Sequence, residues 1–294
     1  MLRNNNSRPR IACEVSAERV VAARAANGAQ TLETVSAQNL APGTVTPGLQ
    51  HANVASRDAL VTALRDTLSA VALRSHDITL VIPDASTRIL LLDFDTLPDK
   101  AQDADSVVRF RLKKSLPFDV DASAVSFDRY AADNGVRVVT AVTPRAVLEE
   151  YEAVARDAGY NPGAVLPSMI AALGVVDGAR PTMVIKVETG TTTFAIVDQN
   201  QLLLYRSLEN GGAAVTGESL VDDVNTSLVY FEDRYGISAE RLLVTGVQSA
   251  ESLQAAFSAS NIRVEELISS SLAAAGSGSV SRSALAGVAG ALVS

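Results

Sequence analysis

The stretch TMVIKVETGTTTFAIVDQNQLLLYRSL, residues 182–208, decides the fold. It reads as three short strands. Residues 182–187 are β-branched and apolar. Residues 192–197 follow a small-residue turn at Glu188-Thr189-Gly190-Thr191, and 202–205 follow a second turn at Asp198-Gln199-Asn200. Two turns this short between apolar strands make an antiparallel meander. The chain opens in the same way: residues 10–16 are a strand and turn, 19–24 the next strand, and Asn27-Gly28 a second turn. Laid over each other, Glu14 falls on Glu188 and Ser16 on Gly190. A carboxylate two positions before a small residue, between two strands, thus occurs once in each half. That predicts two related lobes facing each other across a cleft.

The 294 residues suffice for two domains with cores of their own. Aromatics are 4 % and Trp is absent, so those cores must rest on Val, Leu, Ile and Ala. A net charge of −8 lacks the basic footprint of a nucleic-acid-binding protein. The single cysteine, Cys13, lies in an apolar strand and reads as a small buried hydrophobe, which fits a reducing compartment. His51 and His76 have no Cys or paired carboxylate beside them, so no metal site is expected. No run approaches the roughly 20 apolar residues of a membrane span. The opening MLRNNNSRPR lacks the apolar core of a signal peptide and reads as a short leader.

Between the two meanders, 36–56 reads as loop and 57–73 as a helix with Leu60, Leu64, Leu68 and Val71 on one face. Strands follow at 77–82 and 86–95. Helix 100–115 carries apolar Val107, Val108, Phe110 and Leu112 beside a basic run at 109–114. It ends at Leu116-Pro117-Phe118, where the proline stops it. Strands at 125–131 and 136–142 flank Asp133-Asn134-Gly135. A helix then runs to 158, with Thr143 as its cap and Pro144 at its first position, and a strand spans 160–166. Residues 86–166 therefore read as an inserted β-α-β-β-α-β subdomain. It follows a first lobe (1–85) and precedes a return helix (167–180) and a second lobe (181–294). The second lobe continues past Gly211-Gly212 into a long helix at 217–235 and a strand at 241–245. A helix at 249–258, a strand at 262–267, a Ser/Ala/Gly-rich loop at 269–282 and a small-residue helix at 283–293 complete it.

Five places share an order and spacing with a known family. They are the opening strand-turn-strand, Leu40-Ala41-Pro42-Gly43, and the helix ending in Leu116-Pro117-Phe118. The fourth is the second meander running into Leu204-Tyr205-Arg206 and Glu209-Asn210-Gly211-Gly212. The last is Leu285-Ala286-Gly287-Val288-Ala289-Gly290. Together they resemble, over almost the whole chain, the type IV pilus assembly protein PilM family, actin-like ATPase relatives of FtsA. The resemblance implies an α/β, actin-like (ribonuclease H-like, duplicated) two-lobe fold, with the insert replacing one actin subdomain.

In that family each meander turn reads Asp-x-Gly followed by small hydroxyl residues. Glycine lets backbone N–H groups approach a phosphate, hydroxyls donate to it, and the carboxylate handles a metal ion or water. Carried over, the nucleotide-binding positions are Glu14, Ser16, Glu188, Gly190, Thr191, Thr192 and Gly246. Three departures stand out. Ser16 puts a side chain where phosphate approaches. Glu18 puts a negative charge where a hydroxyl is expected, and Arg19, being in a strand, is expected to point to the opposite face. Thr245-Gly246-Val247-Gln248 keeps one glycine of a Gly-Gly turn beside the adenine.

These departures predict a degenerate nucleotide site, no catalytic residues, and no cofactor need, although Mg·ATP is what the fold would otherwise take. The resemblance then implies a cytoplasmic scaffold, peripheral at the inner membrane. It would hold the cytoplasmic tail of a PilN-like inner-membrane protein and meet other pilus or secretion components. Phe110, Leu116 and Phe118 are the candidate tail-binding residues, through apolar pockets or strand addition. The other reading is an actin-fold ATPase or ATP-dependent phosphotransferase, with Glu14 and Glu188 positioning Mg²⁺ and phosphate. Plainer roles stay open too: Phe118 as a core anchor, 109–114 as a solvated face, 191–193 as ordinary strand.

Overall fold

The structure, a computed structural model, describes residues 9–26, 31–132, 135–210, 217–246, 250–257, 262–269 and 280–293. Residues 1–8 of the leader, Asn27-Gly28, Asp133-Asn134, Gly211-Gly212, Val247-Gln248 and most of the 269–282 loop lie outside the described residues.

In chain order the elements begin with β1 (Ile11–Val15), β2 (Arg19–Ala25), β3 (Leu32–Asn39), α1 (Arg57–Ser69) and β4 (Asp77–Ile82). Next come β5 (Arg88–Phe94), α2 (Ala101–Lys113), β6 (Ser123–Ala132), β7 (Gly135–Pro144), α3 (Arg145–Asp157), β8 (Asn161–Pro167) and α4 (Ser168–Ala172). The remainder is β9 (Thr182–Glu188), β10 (Thr191–Asp198), β11 (Gln201–Glu209), α5 (Gly217–Tyr235), β12 (Arg241–Gly246), α6 (Ala250–Ala256), β13 (Arg263–Glu266) and α7 (Ala286–Val293).

Each half is a five-stranded mixed sheet built on its meander, β3-β2-β1-β4-β8 in one and β11-β10-β9-β12-β13 in the other. In both, the first strand of the meander pairs antiparallel with the second and parallel with the strand that follows the meander, β4 or β12. Residues 36–39, expected as loop, complete β3, whose outer residues pair with β2 as far as Asn39 opposite Arg19. The outer face of the first sheet packs on α1 and α3 through Ile11, Cys13, Leu60, Leu64, Tyr151 and Val154. The outer face of the second packs on α5 and α6 through Ile185, Phe194, Val224, Phe231 and Leu253. The inner faces of both sheets share one apolar cluster with α4 and α7.

The inserted sheet is smaller than expected, with order β5-β7-β6. Strand β8 pairs parallel with β4 in the first lobe, and α3 buries Val147, Tyr151 and Val154 there. The reason is face counting. Val108 and Leu112 of α2 already cover the apolar face of the three strands with Leu92, Val138 and Val142. The opposite face is taken too: Ile89, Leu91, Val139 and Ala141 pack on the cluster shared by the lobes, so no apolar face is left for α3. Nor does Thr143 cap that helix: Pro144 occupies the cap position, no side chain caps it, and the two hydroxyls of Thr143 and Thr87 bond each other at 2.8 Å.

Helix α7 belongs by sequence to the second half, yet it lies against β1, β2 and α4 of the first. Its small residues permit this. A Cβ on Gly290 would collide with the Ala171 carbonyl, and one on Gly287 with the Glu14 carboxylate.

Candidate functional site: the inter-lobe cleft and the groove beside it

Strand alternation decides which side chains meet between the lobes. On β1, Ile11, Cys13 and Val15 face outward, leaving Ala12 and Glu14 inward. On β9, Met183, Ile185 and Val187 face outward, leaving Val184, Lys186 and Glu188 inward. Glu14 and Glu188 therefore converge, as the overlay of the two turns requires. Between them lies Lys186. Its Nζ donates to Glu14 Oε1 at 2.9 Å and to Glu188 Oε1 at 2.8 Å. It also donates to the Ser168 hydroxyl, which in turn donates to Glu14. Lys186 is 4 % exposed and Glu14 6 %.

Burial on its own depresses a lysine, because an ammonium loses its water. Here the charges of Glu14, Glu188 and Asp84, and the Glu188 hydrogen bond, outweigh that loss and hold the amine above its ordinary value. A serine beside a lysine has the atoms of a nucleophile pair, but an amine held protonated accepts no proton, and Ser168 is fully buried.

Asp84, just past β4, completes the cluster. Its Oδ1 accepts from the Met169 N–H at 2.8 Å and from the Tyr205 hydroxyl at 3.3 Å, so it touches α4 and β11. Its Oδ2 is buried without a hydrogen-bond partner. Burial first, then the charge of Glu188, pushes its carboxyl up to about 7. Burial and the Asp84 charge likewise raise Tyr205. Among the described residues, no group of three His, Cys, Asp or Glu side chains is placed to hold a metal ion.

The first turn spends its groups on itself. The Ser16 hydroxyl donates to the Arg19 carbonyl at 3.1 Å and accepts the Arg19 N–H at 3.1 Å. Glu18 sits in the turn and not in the strand, so the alternation argument fails for it. Arg19 Nη2 donates to Glu18 Oε2 at 3.0 Å, contrary to the expectation that Arg19 points away. Across the cleft, the Thr189 hydroxyl donates to the other oxygen of Glu18. That bond, then Arg19, holds Glu18 below the usual carboxylate range.

In the second turn Gly190 has φ +83°, the left-handed conformation that the turn needs. Thr191 and Thr192 are buried in β10, and the Thr192 hydroxyl accepts from Asn210 Nδ2 at 3.0 Å. Gly246 has φ +98°, and the Val187 carbonyl fills the place of its missing Cβ, so sheet pairing by itself requires a glycine there. The cavity lined by residues that include Glu14, Ser16, Glu18, Lys186, Glu188 and Gly246 is about 70 Å³.

Continuous with the turns, and bounded by both lobes and the insert, runs a groove of about 1030 Å³ that Glu18, Thr189, Gly190 and Thr191 of the turns also line. Leu40, Pro42, Val45 and Leu49 line one side and Pro117 and Phe118 the other, with Arg19, Arg88 and Glu209 adding charge. Asn53 pins the loop wall. Its Nδ2 donates to the carbonyls of Gly48 and His51, both at 2.9 Å. Its Oδ1 accepts from the Gly48 N–H at 3.0 Å, the Ser86 hydroxyl at 2.7 Å and the Tyr151 hydroxyl at 3.1 Å. Glu150 holds the backbone N–H of Asn53 and Val54 at 2.8 and 3.0 Å. Phe118 lines the groove and also packs on the insert core. Leu116 packs on that core without lining the groove. Phe110 is 63 % exposed on α2 with the Lys114 ammonium 4.3 Å from its ring centre, and is not part of the groove lining.

Lys186, Asp84, Ser168 and Asn53 are not among the residues that the sequence motifs point to. One signal does mark Lys186: it is a lone charge inside the apolar strand TMVIKVE, two positions from Glu188 and so on its face.

No family model matches the chain, and no curated protein matches it in sequence. Solved structures do match. A chain of the PilM–PilN type IV pilus biogenesis complex superposes with TM-score 0.75 at 15 % identity, covering 97 % of both chains. The cytoplasmic domain of EpsL, an inner-membrane component of the Vibrio cholerae type II secretion system, gives 0.53 at 9 % identity over 89 % of this chain and 98 % of that one. The ethanolamine utilization protein EutJ of Carboxydothermus hydrogenoformans gives 0.52 at 10 % identity, over 99 % and 92 %. With two facing sheets, each built on a meander, and an insert in the first half, the chain has the two-lobe actin-like fold, in the form that the PilM–PilN complex contains.

Proposed function

We propose that this protein is a PilM-like scaffold of a type IV pilus or related secretion machine. It holds the extended cytoplasmic tail of a PilN-like inner-membrane protein in the groove bounded by the two lobes and the insert, and works without nucleotide hydrolysis. The observation that carries this is the contrast between two spaces. The groove, at about 1030 Å³, has room for several residues of peptide, with apolar side chains and charges of both signs in its lining. The cleft between the turns, at about 70 Å³, falls well short of the roughly 300 Å³ at which ligand pockets begin.

The residues of the cleft do not suit Mg·triphosphate. Lys186 fills the place between the two carboxylates, the Ser16 hydroxyl closes its own turn, and Glu18 presents a carboxylate that phosphate oxygens would meet as like charge. Likeness to the PilM–PilN structure supports the choice of partner, and likeness to the EpsL domain supports a place beside an inner-membrane complex. No helix among the described residues is long and apolar enough to cross a membrane; the proposed attachment is through the partner.

The test is calorimetric titration with a synthetic peptide of the cytoplasmic tail encoded beside this protein. Binding in the micromolar range is expected, with Phe118→Ala weakening it about tenfold or more and Phe110→Ala leaving it unchanged. No heat from the intact protein, or equal loss from both variants, would remove the groove reading.

A further inference from the structure

We propose that Lys186 Nζ is the resident cation of the inter-lobe cleft, built into the chain where Glu14 and Glu188 would otherwise hold a divalent metal ion. The inference rests on the reading of the cleft as closed to Mg·nucleotide and deepens it; it makes no use of the groove.

Three observations lead to it. The first is position. The amine lies between one carboxylate from each lobe and meets the Ser168 hydroxyl as a third oxygen. Magnesium is commonly held by one or two carboxylates, the rest of its shell being water, and this donor set meets that description once the lysine is removed. The second is charge. A buried and a half-buried carboxylate approach this closely only around a positive centre, and among the described residues Lys186 Nζ is the cation that bonds to both of them. The third is sequence context. Lys186 is the sole charged residue among the buried positions of β9, flanked by Ile185 and Val187, and its inward placement follows from the same alternation that aims Glu188. A lysine at that position has no packing role that an aliphatic residue would not fill.

A metal ion arrives with a ligand and leaves with it. A tethered ammonium does neither, so the lobes are joined across Glu14 and Lys186 whether or not anything is bound. The closed arrangement of the two lobes is therefore constitutive.

The experiment uses the full chain with Lys186→Ala and Mn²⁺ as the probe, read by loss of the free Mn²⁺ resonance and by thermal unfolding. Truncation adds the space of a lysine side chain to the existing cavity. Lys186→Ala is expected to bind one Mn²⁺ about tenfold or more tighter than wild type. At a 100-fold excess over Kd its Tm should rise by roughly 5 °C, while that of wild type stays put. Adding Glu14→Gln to Lys186→Ala should abolish the gain. Should Lys186→Ala fold poorly alone, refolding in Mn²⁺ is expected to recover native circular dichroism. A folded variant that ignores Mn²⁺, one that Mn²⁺ fails to rescue, or a wild type that binds Mn²⁺ equally well each overturns the inference. Mg·ATP binding by wild type, with Lys186 in place, overturns the cleft reading beneath it instead.

Discussion

Asp84 ties stability to pH. In the folded chain its carboxyl titrates near 7, and in the unfolded chain near the ordinary carboxylate value of about 4. Between those limits the folded state binds the extra proton. Stability must then fall as pH rises through that window, by up to about 1.4 kcal/mol per unit, and level off above it. Asp84→Asn keeps an acceptor for the Met169 N–H and removes the titration, so its stability should be flatter from about pH 5 to pH 7. Urea unfolding of both proteins across that range checks this; parallel slopes would assign the pH dependence to other groups. The same cluster shows what a strand pattern conceals. That Glu14 and Glu188 would face each other follows from alternation and from the repeated turn. That Lys186 would stand between them was written in the sequence too, but a six-residue β-branched run reads as apolar strand, and one charge in it is averaged away. Glu18 and Arg19 erred in the opposite sense: the rule for strands was applied to a residue that sits in a turn.

At the scale of elements, two contacts hold the candidate sites in shape. One is the seat of α7 on α4. Gly290→Ala puts a methyl group into the Ala171 carbonyl and should destabilise the protein by about 1–3 kcal/mol, the usual cost of overpacking, whereas Ala289→Gly should cost less. Thermal melts of the pair decide it. The other is Asn53, which is fully buried and does not line the groove, yet saturates its amide on the loop that does. Asn53→Ala should weaken tail binding several-fold while every groove residue stays in place, with native circular dichroism retained; unchanged affinity would show that the loop is rigid without it. Helices and strands were legible because their periods are local. Ownership was not: β8 and α3 look like the end of the insert until β4 and α1 are seen to need partners, and pairing between residues some 80 apart leaves no local mark.

For the molecule as a whole, the insert is also fastened to the second lobe. Asp93 of β5 accepts from Arg137 Nε at 2.9 Å and from Arg234 Nη2 of α5 at 2.7 Å. Both guanidinium groups lie over the Tyr235 ring, at 5.3 and 5.6 Å, and the Tyr235 hydroxyl donates to the Leu203 carbonyl at 3.0 Å. These charges are partly exposed, and such pairs contribute about 0–1 kcal/mol each. Arg234→Ala should therefore shift global stability by less than about 1 kcal/mol and increase hydrogen exchange where β5 meets β11; a larger shift would mark this contact as part of the main core. Tail affinity measured with and without Mg·ATP should agree within about twofold, since a constitutively closed cleft gives nucleotide no difference in affinity to exploit.

The position of α7 also bears on biosynthesis. Its residues are translated long after β1 and β2, yet they cover the inner face of the sheet those strands belong to, next to Glu14. While the nascent chain grows, that face has to wait uncovered until residue 293 has been made. A chain truncated before α7 would thus be damaged in the sheet made well before the cut, a natural target for chaperones and proteases.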